Sequence, residues 1–266
     1  MNEIVRGDSE IQRRQDGWDW IRYECEEEIE AQRAARERMV TKTTHIPGYP
    51  ECYQHTSVEE QIAVLREFWP ELNPGSRIKE LESRPILSGS EGVWAIPKWE
   101  SIAGSYGDAL DTWIFPALAT LSDSGFYYGS RFDALGSDYL RRNEHVQEVF
   151  AKMNAQQDGD ILIIQAQFGA HHRTRASLSS RRACMPKEFG LTTFAVACML
   201  LTHPNRLVAH NNLWADCPGD EYHHAHNKKF SHTPAFSFYA GKIFFSTYPH
   251  DIDFTDCGLV TGFQIE

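Results

Sequence analysis

ILIIQAQF, residues 161–168, opens with four apolar residues in a row, so both faces of any strand it forms are apolar at that end. A run of strand length, rich in isoleucine and preceded by Asp158, Gly159 and Asp160, reads as a central β-strand with other layers against both faces. The covering layer is visible downstream. FGLTTFAVACMLLTH, residues 189–203, is apolar nearly all round and stops before Pro204, which predicts a buried helix packed on that strand. The rest is β-like: NLWADC (212–217), FSFYAGKIFFSTY (236–248) with Ala240 and Gly241 as a tight turn, and GLVTGFQI (258–265).

Upstream the pattern is helical. Residues 10–40 read as one long helix with Trp18, Ile21, Cys25, Ile29 and Met39 on a narrow apolar seam under a charged solvated face, with self-association or a protein partner as the alternative use of that seam. THIPGYPE (44–51) breaks it, because each proline biases its predecessor away from helix. SVEEQIAVLREFW (57–69) opens with Ser57 and Glu60 at capping-box spacing, and VWAIP (93–97) reads as a short strand. A helical pattern over Leu110, Ile114, Leu118 and Leu121 is interrupted by Pro116, and another follows Ser137 as its expected cap, burying Leu140, Val146, Val149, Phe150 and Met153. Helices first and strands later predict an α+β fold: a helical N-terminal part and a C-terminal mixed sheet with a buried helix packed on it. The expected divisions are an arm over 1–45, a mainly helical region over 46–156 and an α+β core over 157–266, or one compact unit from 46 to 266.

The 266 residues are 41% hydrophobic and 24% charged, which is ordinary globular composition. A net charge of −11 argues against coating nucleic acid, since phosphate binding needs a basic face. The first residues, MNEIVRGDSE, lack the basic and apolar regions of a secretory signal, and the apolar stretch FAVACMLL (194–201) is far shorter than the ~20 residues a membrane span requires. Cys25, Cys52, Cys184, Cys198, Cys217 and Cys257 include no C-x-x-C pair, so free thiols and a cytoplasmic location are expected. The blocks DILIIQAQFGAHHR, EFGLTTFAVACMLLTHPNRL and NLWADCPGDEY, within roughly residues 90–225, resemble uncharacterised bacterial proteins. The resemblance implies a soluble protein of bacterial type and carries no chemistry.

Three stretches carry candidate sites. In FGAHHRTRASLSSRRACMPKEFG (168–190), Gln167, His171, His172, Arg173, Arg175, Arg181 and Arg182 form a candidate anion site, because the guanidinium fork matches phosphate or carboxylate. By analogy with open α/β sheets this loop leaves the carboxyl end of a strand, where ligands often bind. The leading expectation is nevertheless that each arginine pairs with a surface carboxylate, with the anion site as the alternative. In GFYYGSRF (125–132), Tyr127, Tyr128, Arg131 and Phe132 offer a stacking or partner surface. In EYHHAHNKKFSH (221–232), His224 and His226 would share one face of a strand as an alternative metal pair, but the stretch matches no zinc motif, and neither metal nor cofactor is expected. Cys217 reads as an inert core thiol, with Asp216, Asp220 and Glu221 as solvated turn carboxylates.

Nothing in the chain sets nucleophile, base and oxyanion donors at a recognisable spacing. The expectation is therefore a non-enzymatic accessory or interaction protein. The alternative is a binder of, or enzyme acting on, a phosphorylated or nucleotide-like anion at loop 168–188.

Overall fold

The computed structural model describes residues 46–121, 126–128, 135–174, 187–223 and 229–264. The predicted helix over 10–40 lies outside them. In chain order the described helices are α1 (Val58–Phe68), α2 (Ile78–Glu82), α3 (Tyr106–Asp108), α4 (Phe115–Ala119), α5 (Glu144–Gln156) and α6 (Thr193–Thr202). The strands are β1 (Gly92–Pro97), β2 (Phe126–Tyr128), β3 (Leu140–Arg142), β4 (Ile161–Gln167), β5 (Glu188–Gly190), β6 (Trp214–Asp216), β7 (Asp220–His223), β8 (Phe230–Tyr239), β9 (Lys242–Pro249), β10 (Cys257–Leu259) and β11 (Thr261–Phe263). The architecture is α+β, and no described helix is long and apolar enough to cross a membrane.

The ILIIQAQ run is β4, and every one of its residues is buried. Its sheet has the order β1-β4-β11-β5, with all three pairings antiparallel. All ten residues of α6 are buried, as a helix apolar on every side between its terminal threonines requires, and α6 packs mainly against α1 and β1, the neighbour of β4. Ser57 and Glu60 form the expected capping box at the start of α1. From α1 the buried Gln61 donates to Val93 O (3.0 Å) and accepts from Ala95 N (2.9 Å), so its amide covers the backbone edge of β1.

The second sheet runs β10-β6-β8-β7-β3, with β9 along the other side of β8 and β2 beside β9. It is mixed: β2 lies parallel to β9 and β10 parallel to β6. Ala240 and Gly241 turn the β8–β9 hairpin with φ of +47° and +75°, the left-handed pair that a two-residue turn demands.

Three local expectations are corrected. Ser137 caps no helix: Leu140–Arg142 pair with β7 as β3, and Asn143 caps α5 by accepting from His145 N at 3.1 Å. Pro116 does not kink a continuous α-helix, because a π-helical segment, Ala109–Ile114, precedes it and leaves it in the first turn of α4, where its missing N–H costs nothing. The stretch GLVTGFQI is two strands in two sheets. Val260 makes the crossing, donating to Asp216 O (3.0 Å) and accepting from Leu191 N (3.0 Å), so the last strands stitch the sheets together.

Candidate metal centre at the base of the 168–188 loop

Gln167 ends β4 and fixes where the loop begins. Its buried amide donates to Leu259 O (2.6 Å) and Thr261 Oγ1 (2.8 Å), while Oε1 accepts from Gly169 N (2.7 Å) and His171 N (3.2 Å). Gly169, with φ at +114°, lies flat against Gly258, where a Cβ would stand 2.5 Å from Gly169 O. Arg173 then bridges to Gly258, and Thr174 N donates to Cys257 O (2.9 Å) at a φ of +63°, a strained value for a β-branched residue. The first turn of the loop is thus held rigidly against β10 and β11.

Opposite stands Glu188, the first residue of β5 and the sole carboxylate among residues 161–191. Its side chain is fully buried. His172, also buried, places Nε2 at 2.6 Å from Glu188 Oε1, where a ring nitrogen facing a carboxylate must donate. Thr261 Oγ1 donates to the same oxygen. Gln167, Thr261 and Glu188 therefore form one hydrogen-bonded line that orients the carboxylate toward His172. His171 is exposed, its ring edge-on to His172 at 4.7 Å between centroids. One ligand atom from each of His171, His172 and Glu188 lies within 4.8 Å of the other two, close enough for the three to converge on one metal ion after a small rearrangement. His172 Nδ1 is buried with no partner among the described residues.

Of the candidate anion-site residues, the structure brings His171, His172 and Arg173 to one turn, with Gln167 beneath them as a buried support. Arg175, Arg181 and Arg182 lie outside the described residues. The analogy with open α/β sheets does not apply: both neighbours of β4 are antiparallel to it, so its sheet has no common carboxyl edge. Tyr127 and Tyr128 are in β2 on the second sheet, opposite Phe244 and Phe245 in the register with β9, while Arg131 and Phe132 fall outside the described residues. His224 and His226 also lie outside them. Their neighbour His223 sits in β7, its ring stacked on Tyr139, and Glu221 pairs across strands with Arg141 at 2.9 Å.

Cys217 is buried, and burial pushes its thiol up, so it is no nucleophile. The turn carboxylates are not solvated as expected. Asp216 and Asp220 are both buried, and desolvation pushes them up to about 7 and about 6. Asp220 accepts from Thr193 N (2.7 Å) and Tyr106 Oη (2.6 Å), placing a carboxyl at the start of α6. Arg206 is wholly buried as well. It donates to Leu213 O and Phe168 O, both at 2.8 Å, and lies 3.8 Å from the centre of the Tyr49 ring. No family model, curated protein or solved structure matches this chain.

Proposed function

We propose that this chain binds a divalent transition-metal ion through His171, His172 and Glu188, and that the ion holds an anionic ligand at its open position. The observation that carries this reading is a buried histidine–glutamate pair at 2.6 Å with a second imidazole inside 4.8 Å. Imidazole and carboxylate donors suit zinc and its first-row neighbours, and three protein ligands leave one position for water or a ligand oxygen. At zinc–ligand distances near 2.1 Å, tetrahedral ligands stand about 3.4 Å apart. The His172–Glu188 contact then opens by about 0.8 Å.

The ion takes the place of the proton between His172 and Glu188, and a neutral His172 ring then carries that proton on Nδ1. His171 faces solvent, and the exposed Arg173 follows in the same turn, which gives an anionic ligand an approach with a second positive group beside it. This reading departs from the expectation of no metal. It keeps the anion-binding alternative, with the ion as its centre.

Zinc titration by calorimetry tests it. One ion per chain is expected, and His172→Ala and Glu188→Gln should each weaken binding by at least about tenfold. Phosphate should raise the melting temperature only in the zinc-loaded protein. Zinc uptake that survives both substitutions, or is lost instead on His224→Ala, overturns the assignment.

A further inference from the structure

Just beyond the end of β5, a cavity of about 260 Å³ lies between β1, α5 and the start of α6. Its apolar wall comes from Ile96, Leu162, Phe150 and Phe194, and its polar wall is dominated by Trp99 and Arg142. The space suits a ligand on the order of ten non-hydrogen atoms, given that a water occupies about 30 Å³.

The charges around the cavity are not equivalent. Lys98 is committed to the C-terminal end of α5, donating to Gln157 O (2.8 Å) and Asn154 O (3.5 Å). The first amides of α6 are also taken: Thr193 N by Asp220, Phe194 N by Tyr106 Oη (3.2 Å) and Ala195 N by Thr192 Oγ1 (3.3 Å). Arg142 differs. Its guanidinium carbon stands 5.0 Å from the Trp99 ring centre and 5.1 Å from that of Tyr106, and no carboxylate among the described residues forms an ion pair with it. Contact with two aromatic rings restrains the fork while leaving its N–H groups without an anionic acceptor. Asp220 lies near enough to be felt by Arg142; Thr193 N and Tyr106 Oη both donate to its Oδ2, and its Oδ1 has no hydrogen-bond partner among the described residues, Arg142 included. Glu100, exposed at the rim, opposes ligands of higher negative charge.

We infer that this cavity binds a small organic monocarboxylate with an aromatic or apolar body. Arg142 takes the carboxylate as a planar fork, and the wall of Ile96, Leu162, Phe150 and Phe194 takes the body. The site does not share residues with the metal centre: none of His171, His172 and Glu188 lines the cavity.

The test is calorimetric titration of the full chain with benzoate, and with benzyl alcohol and inorganic phosphate as controls. Chelator is present throughout, so that no ligand is captured by metal. Benzoate should bind, and benzyl alcohol, which keeps the ring and lacks the charge, should bind at least about tenfold more weakly. Arg142→Gln should cost benzoate the same factor and leave benzyl alcohol unchanged. Ala151→Trp, a substitution at an exposed position of α5 that lines the cavity, should block both ligands while leaving Arg142 in place. His172→Ala should bind benzoate as the wild type does. Absence of benzoate binding, equal affinity for the alcohol, preference for phosphate, or binding indifferent to both Arg142→Gln and Ala151→Trp overturns the inference.

Discussion

Replacing Asp216 by asparagine should alter how stability depends on pH, in a direction set by the structure. Asp216 is buried in β6, accepts a hydrogen bond from the Cys257 thiol and has no partner for Oδ1 among the described residues. Desolvation raises it from an ordinary 3.8 to about 7. A group raised in the folded state contributes stability that is fully present below its unfolded value and is lost as pH rises through the folded one. Here that window runs from 3.8 to about 7. At 1.36 kcal/mol per unit, the change between pH 5 and pH 8 is about 2–3 kcal/mol, or roughly 5–10 °C in melting temperature for a chain of this size. His55 and His203, lowered by burial, pull the other way below their ordinary value of 6.5, so the wild-type curve alone is not diagnostic. The diagnostic quantity is the melting-temperature difference between Asp216→Asn and wild type, measured at both pH values. Asparagine mimics the protonated acid, so the variant should gain on the wild type as pH rises. A difference that stays constant from pH 5 to pH 8, or that turns against the variant, would refute the argument that Asp216 is buried without a charge partner.

Leu200→Asp and Ala195→Asp each place an unpaired charge in the fully buried α6 and should abolish cooperative folding by circular dichroism; near-wild-type melting of both would mean that α6 faces outward. Asp220→Ala removes the acceptor for Thr193 N and Tyr106 Oη and should cost about 1–3 kcal/mol in urea denaturation, with Asp220→Asn costing less because one acceptor remains. In native protein, iodoacetamide followed by peptide mass analysis should label exposed Cys52 and spare Cys198 and Cys217, whose thiols are pushed up by burial; labelling of the latter pair before unfolding would contradict the core described here.

The core of the fold was legible because its signals are local and redundant. Four apolar residues in a row at 161–164, a ten-residue helix apolar at all but its two terminal threonines and a capping box each leave few alternatives. What escaped depended on distant pairing. Nothing near Leu140 announces that β7, eighty residues later, will claim it as a strand, and nothing in GLVTGFQI marks the change of sheet at Val260. The candidate centre was half legible for the same reason. His171 and His172 are conspicuous, but Glu188 reads as an ordinary helix entry until β11 brings Thr261 and β5 together. Its one sequence signal was isolation, a lone acid among basic residues. Asp216 and Asp220 were misjudged because turn chemistry predicts solvent, whereas the packing of β6, β7 and α6 buries them.

The pairing of β4 with β11 has a consequence for how the chain is made. Gln167 and Thr261 are hydrogen-bonded partners 94 residues apart. At about 5–20 residues per second, a ribosome needs roughly 5–20 s to synthesise that interval. Throughout it, β4 can pair with β1, made earlier, while its other edge waits for a partner not yet synthesised. That edge belongs to a fully buried strand that opens with four apolar residues, the kind of segment that recruits neighbouring nascent chains or a holding chaperone. Expression yield should therefore respond more to translation speed and chaperone supply over residues 168–261 than to substitutions that alter the stability of the finished fold.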